Sequence, residues 1–379
     1  ITLIEDEYEG MNKSLAHGTS CTCYVFTPEV SGERFEISVW AHDANRNRYA
    51  FSYKQAENMS YTLSRGGLAN VAYTADASHC TQTILPAGAV DGLFSVSSTQ
   101  QVYFSKGNLQ WSHTGGGSAA TSHSGNGGGT ADGTWRFAEH QYDVIGYTSG
   151  NTTVSGRETQ ADWIDLFPRG CSGYDNQYPY LLTNVPACST GMAGSNYDWG
   201  IYNAISNGGN TPNLWHTLSA AEWEYVISIR QNASSLVKKA TVNSVSGYIL
   251  LPDAWRWRGS VADYVNQTSF DSTQWSYMEE FGAVFLPRGG RLQLKFNNNG
   301  FEKIDGINDG CYYWTTTDTT TTDKNGNKKY YYTTVSLSGD NAVNFTSTSN
   351  EYKTDNNKFL YAVRLVKNYE APTTNTTSK

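Results

Sequence analysis

The sequence predicts a β-rich α+β protein of two domains, on three observations. Aromatics reach 13%, with 26 Tyr and 11 Trp, while charged residues make up only 16% of the 379 residues. Apolar and polar residues alternate at period two between turns rich in Gly, Asn, Ser and Thr, the pattern of short half-buried strands. Helical signals are few, and the clearest ones open on a cap.

Residues 1–84 read as an all-β domain. Cys21–Phe26 is a short apolar strand, and Phe35, Ile37, Val39 and Ala41 alternate with Glu36, Ser38, Trp40 and His42. Tyr49–Tyr53 and Ser60–Leu63 continue the series at the spacing of an immunoglobulin-like sandwich. Leu85-Pro86-Ala87-Gly88 marks the junction to a second domain over residues 85–368. That domain opens with strands at Phe94–Ser97 and Gln101–Trp111. A Gly-rich hairpin loop then leads to a strand at Trp135–Phe137. The loop has no following helix with a Lys, so it does not match a phosphate cradle. A short helix is expected at Gln160–Phe167, stopped by Pro168.

Two helices carry capping boxes, Ser219–Glu222 and Asp271–Gln274. The first buries Trp223, Val226 and Ile227 and ends near Gln231; the second precedes Trp275 and Met278. Strands return at Tyr312–Thr317, Tyr330–Leu337, Ala342–Phe345 and Phe359–Lys367. Between them Asp318–Lys329 and Thr346–Lys358 read as polar loops with almost nothing to offer a core. Residues 369–379 read as a disordered tail.

Composition also bounds function. The net charge of −8, without any long Lys/Arg cluster, argues against nucleic acid as a partner. No apolar run of about 18 residues exists to span a membrane. The chain starts at Ile1 with neither Met nor signal peptide, which suggests trimming from a longer precursor. Of the six Cys, Cys171 and Cys188 flank a loop and could pair, against the alternative of buried thiols; without a CxxC pair no structural zinc is expected.

Catalytic patterns are missing as well: no His-Glu-x-x-His, no Gly-x-Ser-x-Gly and no Walker loop. Glu139-His140 and Asp162/Asp165 are the nearest acid–base candidates, and surface or capping roles explain them more simply. Asp305–Gly310 opens like a calcium loop, but Ile307 and Thr316 stand at ligand places. The chain is therefore expected to be no enzyme and to need no cofactor, although its Asp/Asn-rich loops leave room for a structural calcium. Trp199, Trp215, Trp255 and Trp257 are either core or a sugar-stacking platform, with core the commoner role.

Several words in order resemble a known family. They are Trp135-Arg136-Phe137-Ala138, Tyr202–Gly209, Thr217–Tyr225, Ile249-Leu250-Leu251-Pro252-Asp253, Gly282–Pro287, Tyr312–Thr316 and Ala362-Val363-Arg364-Leu365-Val366. Over roughly residues 90–368 they resemble the C-type-lectin-like fold in its formylglycine-generating-enzyme variant, as found in surface lipoproteins and pilus-tip proteins of gut Bacteroidales. Some members are variable proteins of diversity-generating retroelements. Residues 1–84 resemble a fimbrillin-type β-sandwich more weakly. The copper-binding Cys of the enzymes sits in a Gly-Phe-Arg-Cys word; here Leu365 takes its place, which speaks against that activity.

The resemblance implies an extracellular, cell-surface adhesin or pilus-tip protein, outer-membrane-anchored or pilus-associated. It would bind a protein or glycan on host or bacterial surfaces and join pilus shaft or anchor subunits. The alternatives are a glycan-binding surface lipoprotein and a structural pilus subunit without its own ligand. The implied ligand face runs from Trp314 to about Leu360. Its candidate contacts are Trp314, Thr316, Asp318, Asn325, Asn327, Tyr330, Tyr332, Asp340, Asn341, Asn344, Asn350, Tyr352 and Asn356.

Overall fold

The computed structural model describes residues 85–113, 133–145, 163–176, 179, 191–257, 259–295, 303–305, 310–339, 344–351 and 357–370, with five strands between residues 30 and 83. The chain divides into two compact units. One comprises Ile1–Leu85, Arg256–Val265 and Glu370–Lys379; the other comprises Pro86–Trp255 and Asn266–Tyr369. The 256–265 segment thus joins the first unit although it lies inside the expected 85–368 span.

In the first unit β1 (Val30–Gly32) pairs antiparallel with β4 (Tyr61–Leu63). β2 (Glu36–His42), β3 (Arg48–Lys54) and β5 (Cys80–Thr83) form an antiparallel sheet in the order β2-β3-β5. The run Cys21–Phe26 and the tail beyond Glu370 lie outside the described residues.

The second unit is α+β, mostly strand with few helices. β6 (Phe94–Ser95), β7 (Gln101–Phe104), β11 (His216–Thr217) and β22 (Leu365–Asn368) make one sheet in the order β11-β22-β7-β6. The last strand therefore pairs with one of the first, Val366 opposite Phe104. β8 (Leu109–His113) lies between β9 (Gly133–Phe137) and β10 (Trp163–Ile164). Since β8 and β9 are antiparallel, with His113 opposite Gly133, the Gly-rich stretch connects a hairpin. The helix expected at Gln160–Phe167 is not present in its described part. Trp163 and Ile164 instead take the open edge of Trp111 and Ser112, a tertiary pairing that overrides the local pattern.

β12 (Val237–Val242), β13 (Val245–Leu250) and β15 (Val284–Pro287) run antiparallel, with β14 (Ser269–Phe270) parallel to β12. β16 (Arg291–Lys295) pairs with β17 (Lys303–Asp305) and β21 (Asn357–Leu360). The remaining sheet is β18 (Gly310–Thr322), β19 (Lys328–Ser338) and β20 (Asn344–Glu351), in that order.

Of the helices, α1 is Trp199–Tyr202, α2 is Ala220–Glu224 continuing as a π turn over Tyr225–Ile229, α3 is Ala233–Leu236 and α4 is Ser272–Glu280. Both capping boxes form. Ser219 accepts from the Glu222 amide while Glu222 accepts from the Ser219 amide, and Asp271 and Gln274 do the same. Among the described residues no helix is long and apolar enough to cross a membrane.

Two apolar clusters fill the unit. One gathers Phe94, Phe104, Trp223, Tyr313, Val335 and Leu337; the other gathers Trp111, Trp135, Phe167, Trp199, Trp215 and Trp314. Polar side chains pin the elements between them. The Asn207 amide imitates a strand neighbour, accepting from the Phe137 amide at 2.7 Å and donating to its carbonyl at 2.9 Å. Asp253 accepts from the Ser95 amide and hydroxyl, from Gln101 and from Arg230, the last at 2.9 Å. Asp198 caps α1 and takes both the amide and the hydroxyl of Thr217.

Arg364 is 1% exposed. Its Nη2 donates to Gln141 Oε1 at 2.6 Å, and the same oxygen accepts from the Phe285 amide. Gln141 in turn donates to Glu279 at 2.8 Å and to the Ala283 carbonyl. Burial pulls the Arg364 guanidinium down to about 10, although nearby Tyr313 and Glu279 favour its charge. Arg364→Met leaves the Gln141 Oε1 and the Phe285 carbonyl short of a buried donor, so chemical denaturation should show a loss of about 1–3 kcal/mol.

Burial also pushes the Asp198 carboxyl up, from 3.8 to about 6, against the lowering effect of its three donors. The folded state therefore holds this proton more tightly than the unfolded chain. Its contribution is complete below the ordinary carboxylate range and is lost as pH rises through about 6. The stability difference between the wild type and Asp198→Asn should accordingly shrink between pH 4 and 7, by at most about 3 kcal/mol. A difference that stays flat with pH, read by denaturation at both ends, would remove this role.

Candidate functional site

β18 changes character in mid-strand. Gly310, Cys311 and Tyr313–Thr316 are buried, whereas Asp318–Thr322 are exposed. β19 mirrors it, from an exposed Lys328 through half-buried Tyr330–Tyr332 to buried Thr333–Val335. The change falls at a bulge. Trp314 pairs with Thr334 and Asp318 with Tyr332, so β18 spends two more residues than its partner.

The bulge is anchored from two sides. From α2, the Ala220 amide donates to the Thr317 hydroxyl at 2.9 Å, and the Leu218 carbonyl accepts from the Thr316 amide at 3.1 Å. Across from it, buried Arg169 donates through Nη2 to the Thr316 carbonyl at 3.2 Å and to Asp318 Oδ2 at 3.1 Å. The Met192 amide donates to the same carboxylate oxygen. Beyond this point the hairpin carries no core.

Its turn is built by one carboxylate. Asp323 accepts from the amides of Asn325 and Asn327 at 2.8 and 2.9 Å and from the Asn327 side chain at 3.2 Å. Gly326 closes the turn at φ 84°, a left-handed backbone that suits glycine. Asp318–Lys329 is therefore strand, turn and strand rather than loop, and Thr346–Glu351 is part of β20. The Asp-x-x-Gly word at 323–326, flanked by threonines and tyrosines, is the signal that could have predicted the hairpin.

An aromatic layer underlies it. The Trp314 indole donates to the Phe167 carbonyl at 2.6 Å, and its ring lies edge-on to Tyr361 (4.6 Å) and Tyr332 (5.3 Å). Half-buried Phe359 and Tyr312 flank Tyr361, and the Arg291 guanidinium covers both, 4.5 Å from the Phe359 centroid and 5.0 Å from that of Tyr312. Burial raises the phenols of Tyr332 and Tyr361, the latter to about 12, so both stay protonated donors at neutral pH.

The expected contacts therefore separate. Trp314, 2% exposed, and Thr316, 7% exposed, are corrected from ligand contacts to frame. The first packs on the aromatic layer, and the second is held between Leu218 and Arg169. Asp318 is exposed, but Arg169 holds its carboxylate. Asn325 and Asn327 are exposed in the turn, and Tyr330 and Tyr332 are half-buried on β19. Asn344 and Asn350 lie on β20, Asn350 opposite Tyr332. Asp340, Asn341, Tyr352 and Asn356 lie outside the described residues. Arg169, Met192, Arg291, Phe359 and Tyr361 were not expected; only the alternation of Phe359 with Tyr361 hinted at a shared face.

Three of the four tryptophans read as a possible platform lie in the core, and Trp257 is half-buried. Trp199 and Trp215 are buried, their indoles donating to the carbonyls of Cys171 and Gly208, and Trp255 is buried too. Cys311 is a buried thiol bonded to the Leu286 carbonyl, and Cys171 is buried as well; Cys188 lies outside the described residues. Among the described residues no three His, Cys, Asp or Glu side chains gather in a metal-binding arrangement.

Hydrogen bonds to Asn325 and Asn327 hold the Asp323 carboxyl below the ordinary carboxylate range. Its contribution to the turn is thus complete above about pH 4 and is lost as pH falls through that lowered value. The amide resonances of Asn325 and Asn327 should titrate with a midpoint below about 3.9. In Asp323→Ala the two amides should lose their exchange protection.

Comparison with protein-family models, with curated proteins and with solved structures found no match to this chain.

Proposed function

We propose that this chain is a cell-surface binding protein, an adhesin or pilus-tip module, that recognises a protein or glycan through the β18–β19–β20 sheet of a C-type-lectin-like second unit. The first unit, read as an immunoglobulin- or fimbrillin-like sandwich, would join it to a shaft or anchor. One observation carries the reading: at the Thr315–Thr317 bulge the strands leave the core and continue as an exposed hairpin of Thr, Asn, Lys and Tyr. Strand that buries nothing gains little from folding, so its retention is best explained by what it contacts.

The arrangement suits recognition in two further respects. Arg169, α2 and the aromatic layer hold the hairpin base rigid, which lowers the entropy lost on binding. Half-buried tyrosines then offer large contact area with few rotors. The resemblance in the ordered words supplies the class of protein, and the hairpin supplies the face.

Exchanging Thr319, Thr320, Lys324, Asn325, Lys328 and Tyr330 for Ser tests the proposal, with binding to intact host cells, bacterial cells and a glycan panel as the readout. Each exposed change should alter stability by no more than about 0.5 kcal/mol. Binding by the wild type, unchanged by EDTA and lost in the folded variant, is the expected outcome. Equal binding by both proteins would place the ligand face elsewhere.

A further inference from the structure

The dipeptide Asn-Gly occurs at 126–127, 207–208, 299–300 and 325–326, and the second and fourth lie among the described residues. In both, glycine has no side chain to shield its amide nitrogen, which is therefore open to attack the Cγ of the preceding Asn. The fold treats the two words in opposite ways.

Asn207-Gly208 is locked. The Asn207 carboxamide is engaged at both ends by the Phe137 main chain, at 2.7 and 2.9 Å. Gly208 is buried, its amide donating to the Ile205 carbonyl and its carbonyl accepting from the Trp215 indole, each at 2.8 Å. A Cβ at Gly208 would meet Phe137 Cε2 at 2.7 Å, and Phe137, Ile205 and Trp215 all belong to the tryptophan-rich cluster. Freeing this nitrogen means breaking into the core.

Asn325-Gly326 lies at the tip of the hairpin. Both residues are exposed, and a Cβ at Gly326 would meet nothing within 4 Å. Among the described residues the Asn325 carboxamide makes no hydrogen bond. The Gly326 amide donates to the Asp323 carbonyl at 2.9 Å, inside the turn that Asp323 Oδ1 builds on the amides of Asn325 and Asn327. Thr319–Thr322 before the turn and Lys328 after it are exposed too, so the turn can open without loss of core packing.

We propose that Asn325, and not Asn207, is a site of spontaneous deamidation in the folded protein, gated by opening of the Asp323 turn. In the open turn the Gly326 nitrogen gives its proton to water and attacks Asn325 Cγ. The new C–N bond closes a succinimide ring. The side-chain nitrogen leaves as ammonia, regaining through water the proton that Gly326 gave up. Water then adds to the ring. Cleavage of the Cγ–N bond leaves aspartate in a normal main chain, whereas cleavage at the main-chain carbonyl leaves isoaspartate. Either product puts a carboxylate where the amide stood, so the hairpin tip becomes more negative. Isoaspartate also lengthens the main chain by a methylene, which pulls the two amides out of register on Asp323 Oδ1. The chemistry does not depend on what the hairpin binds.

The test is peptide mapping by mass spectrometry after the full chain is held at mildly alkaline pH, folded in one sample and in urea in another. Enzymatic methylation of isoaspartate separates the two products. In urea both asparagines should convert at similar rates, since the reacting atoms are the same. In the folded chain Asn325 should convert while Asn207 stays intact over the same period. Asp323→Ala, shown to be folded by circular dichroism, should speed conversion at 325 severalfold and leave 207 unchanged. A folded chain in which Asn325 stays intact while the urea sample converts overturns the inference. So does a folded chain in which Asn207 converts as fast as Asn325. Equal rates at 325 in Asp323→Ala and the wild type overturn the gating, and the inference with it.

Discussion

A guanidinium sealed from water organises the second unit. Arg364 sits in the segment that leads into the last strand, and it reaches Gln141 from the segment after β9 and the Phe285 carbonyl on β15. Through Gln141 the same network reaches Glu279 on α4. A buried charge is costly unless its hydrogen bonds are made, so these elements fit together in few ways. Apolar packing alone would tolerate shifts of register; a guanidinium that must find particular oxygens does not.

The same logic recurs on a smaller scale. Asn207, Asp253 and Asp198 each join segments far apart in sequence through several short hydrogen bonds, and each belongs to or adjoins a word that carries the family resemblance. Those words contain polar residues because the frame is held by polar pins between apolar clusters.

At the Thr315–Thr317 bulge this constraint stops. Below it β18 is fastened on both faces; beyond Asp318, which Arg169 and Met192 still hold, the strand lies exposed beside its hairpin partner. A face so arranged can change its side chains with little effect on the core, which is the physical requirement for a recognition surface. The aromatic residues divide along the same line. Trp199, Trp215 and Trp314 lie in the core, where their indoles find carbonyls, while Tyr330, Tyr331 and Tyr332 are half-buried between core and water.

Local features were legible in the sequence. Both capping boxes, the alternation over 36–42 and 49–53 and the strands near 101–111 follow from contiguous patterns that need few distant partners. The proposed ligand face was read from the sequence as a region, 314–360, without a means of sorting exposed from buried residues within it. Trp314 and Thr316 look like surface until the bulge and Arg169 are seen. Trp163 and Ile164 became a strand because Trp111 offered an edge. By itself, then, the sequence determined the β-rich α+β class and where its caps and most strands begin, since these depend on neighbours within a few residues. Which aromatic is buried, which carboxylate is taken and where the core ends were decided by contacts such as that between Arg169 and Asp318, 149 residues apart, which no local pattern contains.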